Sequence, residues 1–139
     1  MAKKILRAAA PEYDFLLYGI VCPNKEYRLC HFLNQKLAIR LQRGDDYEVM
    51  KAQNRRLLSF ALYTYEPENQ AWYYLFSNKA TGGFLVPEHR NMDYFLMIKE
   101  HQNRVEEDAL LQEIKNIPLI LGAYPVDPSR LRDGDNFIF

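Results

Sequence analysis

Two segments rich in aromatic residues, 57–65 and 72–76, constrain the fold more than any other part of this 139-residue chain. A short polar run that contains Pro67 separates them, as a turn separates the strands of a hairpin. In the second segment large side chains alternate with the period of two that characterises a β-strand. One face would carry Trp72, Tyr74 and Phe76, and the other Tyr73 and Leu75. The pattern predicts a β-hairpin with large side chains on both faces.

Amphipathic patterns predict one helix before this hairpin and one after it. Within residues 25–38, apolar side chains recur at intervals of four and form one stripe of a helix. A similar stripe runs from Leu110 to Ile117, with Asn103 as a candidate N-cap and Pro118 as the residue that ends it. Each stripe predicts a helix that packs one face against a sheet.

The other predicted strands are segments 14–22, 39–41, 47–50, 93–99 and 119–124, which gives the order β-α-β-β-β-β-β-α-β. Two helices separated by a run of hairpin strands indicate an α+β fold. We expect a mainly antiparallel sheet with the two helices packed on one side. If one hairpin is regarded as an insertion, the order approaches a ferredoxin-like variant.

The length of the chain fits a single domain spanning residues 1–139. Within it we interpret residues 1–12 as a loose N-terminal segment and residues 129–139 as a C-terminal tail. No apolar run approaches the ~20 residues that span a bilayer, and no signal-peptide core can be drawn near the N-terminus. We therefore expect a cytoplasmic protein in which Cys22 and Cys30 are buried, reduced and unbridged.

Composition argues against several classes of function. The chain has 18 basic and 18 acidic residues, whereas a dedicated nucleic-acid binder usually carries a basic excess. The three histidines are scattered and neither cysteine belongs to a Cys-x-x-Cys pair, so we predict no metal site and no cofactor. No nucleophile and base stand in a catalytic pattern, and the sequence favours a protein that is not an enzyme.

The densest run of polar and aromatic residues is the segment 86–94, which reads Val-Pro-Glu-His-Arg-Asn-Met-Asp-Tyr. One interpretation is a polar functional site formed by Glu88, Arg90, Asp93 and Tyr94 at an edge of the sheet. The other is a tight turn in which Pro87 fixes the backbone. In that turn the carboxylates would bind backbone N–H groups or pair with the arginine.

This segment resembles the motif of the IPExxxVDY family of bacterial proteins. Pro87, Glu88, Asp93 and Tyr94 match the motif, and Val86 and Met92 stand in for its isoleucine and valine. Three further segments also resemble the family, namely Ser77-Asn78, Gly82-Gly83 and Tyr27-Arg28-Leu29-Cys30. The resemblance spans residues 13–139, and it implies no particular chemistry.

Two other segments could bind anions. The largest basic group consists of Arg40, Arg43, Lys51, Arg55 and Arg56. It could contact RNA, or it could be a solvated loop whose charge nearby acids offset. The loop 77–83 contains a glycine pair that could surround a phosphate, although it lacks P-loop spacing and could equally be a plain turn.

We therefore expect a non-enzymatic interaction or adaptor domain that binds an unidentified protein partner. The alternative is an RNA- or nucleotide-binding module that uses the basic segment 40–56 and the loop 77–83. Helices on one side of the sheet would leave its other aromatic face uncovered. That face would need a second copy of the chain in a homodimer, the tail residues 137–139, or water.

Overall fold

The computed structural model describes residues 15–51, 56–100 and 106–131, and it confirms the α+β class. The helices are α1 (Glu26–Leu37) and α2 (Glu107–Lys115). The strands are β1 (Phe15–Val21), β2 (Gln42–Arg43), β3 (Tyr47–Lys51), β4 (Arg56–Phe60), β5 (Leu62–Tyr65), β6 (Trp72–Ser77), β7 (Lys79–Ala80), β8 (Gly83–Phe84), β9 (Tyr94–Lys99) and β10 (Gly122–Pro125). Short 3₁₀ turns span Pro87–His89 and Pro128–Arg130.

Six strands form one sheet in the order β10-β1-β9-β6-β5-β2, and every pair of neighbours is antiparallel. Strands β3 and β4 form a separate hairpin, and β7 and β8 form another. The central strand β9 is buried along nearly its whole length, because it has a neighbour on each side and a core on each face.

Both helices pack on one face of the sheet, as predicted. Leu29 and Leu33 of α1 share a core cluster with Leu110 and Ile114 of α2 and with sheet residues such as Leu96. These helical residues lie at spacings of four, so a single stripe of each helix faces the sheet. The sequence positions of both apolar stripes therefore predicted the packing correctly.

The chain's own β3–β4 hairpin and the segment 85–92 cover the opposite face of the sheet. Leu58 of the hairpin is buried in a second core cluster with Phe76 of β6. The rings of Tyr47 and Phe76 meet edge-on, with their centroids 5.2 Å apart. The expectation that this face is left uncovered is wrong, since the inserted hairpin folds over it. Residues 137–139 lie outside the described residues.

The segment predicted as one strand, 57–65, is two strands in two different sheets. Side chains alternate through Ala61, so that Phe60 is buried in the second cluster while Tyr63 is buried in the first. The backbone changes partner there: β4 pairs with β3, and β5 pairs with β6 and β2. Alternation predicts which face a side chain occupies, but it does not specify the partner strand.

Other boundaries also differ from those predicted. The last strand begins at Gly122 instead of residue 119, because residues 116–121 form turns that include the bond from the Ile120 N–H to the Ile117 carbonyl. The strand predicted at 39–41 lies at Gln42–Arg43. The predicted ferredoxin-like arrangement stays a prediction. The segment 1–12, the cap at Asn103 and most of the tail 129–139 lie outside the described residues.

Candidate functional site

A buried asparagine holds the motif segment 86–94 in its conformation. Asn78 is fully buried, and its amide nitrogen donates to the carbonyl oxygens of His89 at 3.0 Å and Met92 at 2.9 Å. Its amide oxygen accepts the Val86 N–H at 2.8 Å. Backbone groups of Asn78 also pair with Leu85 and Asp93. One side chain therefore satisfies three backbone groups of a segment that has little regular structure of its own.

The end of the motif is attached to the turn between β1 and α1. The Asp93 carboxylate accepts the Cys22 N–H at 2.8 Å and lies 3.0 Å from the Lys79 ammonium nitrogen. The Tyr94 hydroxyl donates to the Asn24 carbonyl oxygen, and burial raises the pKa of that hydroxyl well above its usual range. The prediction that Asp93 or Glu88 has an intramolecular hydrogen bond or ion pair is confirmed for Asp93, which binds a backbone N–H and has Lys79 as its cation.

A cavity of about 280 Å³ lies beside this ion pair. Lys25 and Glu26 contribute to its wall together with Lys79 and Asp93, so charges of both signs face it. Cys22 also lines it, but burial raises the pKa of that thiol, which disfavours the nucleophilic thiolate. No histidine lines this cavity in the part of the chain that the structure describes. Ser77 and Cys22 in its wall therefore form no Ser–His or Cys–His pair there.

A second cavity, of about 270 Å³, lies between the β3–β4 hairpin and the segment 82–90, and we call it the hairpin groove. It is lined by Lys51, Leu58, Gly82, Gly83, Phe84, Pro87 and Arg90. Two of these residues are cations, three are apolar, and two are glycines that expose the backbone. The predicted motif residues are therefore divided, because Pro87 and Arg90 line the groove while Asp93 and Tyr94 lie at the first cavity.

Strand register places two basic residues of the hairpin beside the groove. Lys51 and Arg56 are direct cross-strand partners, and they lie on the same face as the buried pair Val49 and Leu58. This face of the hairpin points towards the sheet, so its charged end overhangs the segment 82–90. The Lys51 ammonium donates to the Leu85 carbonyl oxygen at 3.4 Å. The hairpin therefore brings positive charge to the motif segment.

Two glycines allow the turn between β7 and β8 to lie against the hairpin. Gly82 has a φ of +97°, and a Cβ built there would lie 2.9 Å from Nη2 of Arg56. A Cβ on Gly83 would lie 2.8 Å from Cδ1 of Leu58. The arginine tip can move away, so Gly82 is explained by its positive φ, whereas Leu58 is buried and close approach explains Gly83. The glycine pair does not form a phosphate loop of the P-loop type.

Arg90 completes the positive edge of the groove. Its Cζ lies 5.7 Å from the centroid of the Phe84 ring, within the range of a cation–π contact. The side chain is exposed, and among the described residues no carboxylate pairs with it. Glu88, two residues before it on the 3₁₀ turn, is also exposed but does not line the groove.

The other predicted basic residues lie elsewhere. Arg43 is on β2 at the sheet edge, where its guanidinium pairs with Asp46 at 2.5 Å and lies over the Tyr63 ring. The hydrogen bond to Asp46 raises the pKa of Arg43. Arg40 is exposed on the connection after α1, and Arg55 lies outside the described residues. The structure thus brings Lys51 and Arg56 to the glycine loop but leaves Arg40 and Arg43 apart from it.

Metal and membrane sites find no support in residues 15–51, 56–100 and 106–131. No group of three or more potential metal ligands is present there, and no helix there is long and apolar enough to cross a bilayer. Both cysteines are buried and unbridged, as predicted, and burial raises the pKa of Cys30 to about 11.

No family model, curated protein or solved structure matches this chain. The site must therefore be interpreted from its own geometry. Sequence reasoning missed the bonding role of Asn78 and the groove positions of Leu58 and Phe84. An asparagine directly after a strand and nine residues before a proline-led turn is a weak signal, since its partners are backbone groups.

Proposed function

We propose that this protein is a non-enzymatic interaction domain that binds a partner protein in the hairpin groove. One observation carries the proposal: basic side chains from three separate chain segments surround a small concave surface with an apolar floor. Lys51, Arg56 and Arg90 form the positive edge, and Leu58, Phe84 and Pro87 form the floor. Apolar anchors inside a charged border are the usual arrangement of a protein-binding site.

The rigidity of the groove supports the same proposal. Asn78 fixes the backbone of the motif segment, and the buried hairpin residue Leu58 fixes the opposite wall. A preformed site loses less conformational entropy on binding than one that must order itself. A surface cavity whose two walls are held in this way is consistent with recognition of a ligand.

RNA or nucleotide binding is the second candidate, because Arg56 does lie beside the glycine loop of the segment 77–83. Three observations favour a protein partner. The chain carries no net charge, the basic residues Arg40 and Arg43 lie away from the groove, and the Phe84 ring already has Arg90 against it. A base would therefore have to displace this arginine to stack on that side of the ring.

An uncovered aromatic face is not available for a homodimer contact on the side of the β3–β4 hairpin. The β3–β4 hairpin covers the face that suggested a homodimer, so a second copy of the chain is one partner among others. A homodimer would now have to use the groove or another surface.

The test is affinity capture from cells of the source organism with the full chain as bait. Arg90→Glu reverses one charge at the groove, and Arg40→Glu is the matched control at an exposed arginine outside it. We expect partner proteins that survive nuclease treatment, that Arg90→Glu loses and that Arg40→Glu retains. Partners lost on nuclease treatment would favour RNA, and partners indifferent to Arg90→Glu would contradict a role for the groove.

A further inference from the structure

The hairpin groove also carries information about the chemistry of its ligand. We infer, on the basis of the function proposed above, that the groove binds an acidic peptide segment in which an apolar side chain lies beside Asp or Glu residues. The apolar side chain would contact Phe84, Pro87 and Leu58, and the carboxylates would approach Arg90, Lys51 and Arg56.

The size of the groove limits what it can take. A cavity of about 270 Å³ is smaller than the ~300–1,000 Å³ that holds a drug-sized molecule. It therefore suits one side chain and its neighbours better than a whole nucleotide cofactor.

The charges select the sign of the ligand. No carboxylate lines the groove within the described ranges, whereas Lys51 and Arg90 do line it and Arg56 adjoins Gly82. Arg90 is exposed at the opposite wall, where its side chain can reach a carboxylate in the groove. Glu88 is the nearest acid in sequence and would repel an acidic ligand only from outside the groove.

The cations come from different segments of the chain, which suits a ligand that carries more than one carboxylate. Lys51 is on β3, Arg56 is on β4, and Arg90 follows the 3₁₀ turn on the opposite wall. A peptide with acidic residues on both sides of an apolar one can present charge to both walls. Arg90 lies against Phe84, so the apolar side chain and at least one carboxylate would be recognised next to each other.

The experiment uses three synthetic peptides and the ¹⁵N-labelled full chain. The first is acetyl-Gly-Asp-Leu-Asp-Leu-Asp-Gly-amide. The second has Asn for every Asp, the third has Ser for every Leu, and hexauridylate serves as the RNA probe. Amide shifts of Gly82 and Gly83 report binding, because both residues line the groove. We expect the first peptide to bind at least about fivefold more tightly than either altered peptide, a difference of about 1 kcal/mol.

Variants of Arg90 locate the binding site, and a milder variant and a control distinguish lost binding from unfolding. Arg90→Glu and the milder Arg90→Gln should both weaken binding of the first peptide by about fivefold or more, whereas Arg40→Glu should leave it unchanged. Spectra of the free variants establish that each is folded.

The outcomes separate the two proposals. Equal binding of the Asp and Asn peptides in the groove would overturn the acidic ligand and leave the interaction domain standing. Shifts with hexauridylate alone would overturn both in favour of RNA. If no probe binds, the inferred ligand class is wrong, and the capture experiment decides separately whether the groove binds a protein.

Discussion

Replacing Asn78 by alanine should be among the most destabilising single substitutions in this chain. It would remove three hydrogen bonds and leave the His89 and Met92 carbonyls and the Val86 N–H without their side-chain partner. An unsatisfied buried polar group costs ~1–3 kcal/mol. The bonds to Met92 and Val86 are buried and the bond to His89 is partly buried, so water can compensate only the last of them. We expect a loss of about 3–5 kcal/mol in the free energy of unfolding.

The loss can be measured by urea unfolding monitored through the fluorescence of Trp72, which lies on β6 of the main sheet. The matched control is Asn91→Ala, which changes an exposed asparagine within the same motif and should alter stability by less than about 0.5 kcal/mol. If both substitutions changed the free energy of unfolding by the same small amount, under ~1 kcal/mol, Asn78 would not hold the motif segment in place.

Asn78→Asp tests the direction of the same bonds. A carboxylate could still accept the Val86 N–H, but it could not donate to the carbonyl oxygens of His89 and Met92. Burial beside two carbonyl oxygens should raise the pKa of this carboxyl in the folded state above its unfolded value. The stability that this pKa difference provides is present at low pH and is lost as pH rises through the folded-state pKa. If stability did not recover on acidification relative to wild type, the hydrogen-bond assignment would be wrong.

Three further predictions follow from the rest of the structure. Asp93→Ala should lower the free energy of unfolding by ~1–3 kcal/mol in thermal melts. Lys79→Ala should cost under ~1 kcal/mol, because the Lys79 side chain is 57% exposed. An unchanged melt for Asp93→Ala would favour a functional role for that residue over a structural one. Cys22 and Cys30 should react with a thiol reagent only on unfolding, and rapid labelling of the native protein would contradict their burial. Burial, and to a smaller extent nearby acidic residues, raise the pKa of Tyr18 to about 12. The stability that this pKa difference provides is complete below pH ~10 and is lost as pH rises towards 12. A spectrophotometric titration in which every tyrosine ionises near pH ~10 would disprove this prediction.

The sequence predicted the layers of the fold because each layer is a local pattern. The spacing of four in both helices and the alternation of Trp72, Tyr74 and Phe76 against Tyr73 and Leu75 correctly assigned side chains to the two faces. A local pattern does not specify which strand pairs with which in the sheet. Nothing in the segment 57–65 says that its first half pairs with β3 and its second half with β6, because both pairings keep the same alternation.

The candidate site was predictable only in parts, for the same reason. The sequence drew attention to Pro87, Arg90 and the glycine pair as separate features, and the structure places them at one groove. Lys51 and Arg56 reach that groove through the register of a hairpin whose position over the sheet depends on long-range packing. Of the two arrangements predicted for the motif carboxylates, Asp93 shows the bond to a backbone N–H, from Cys22, and the cation that it contacts is Lys79, fourteen residues before it.

The high aromatic content of the chain is best explained by its two hydrophobic cores. A sheet with helices on one face and a hairpin on the other needs large side chains in both directions, and Tyr74 and Leu75 are buried on opposite faces. Aromatic content alone is therefore no longer evidence for a contact surface. The groove is different evidence, because the glycine pair, Lys51 and Arg90 line one surface cavity, and Asn78 holds the backbone of the segment beside it. Packing of the core accounts for the asparagine and for Gly83, whereas the proposed ligand would contact the cations Lys51 and Arg90 that line the cavity.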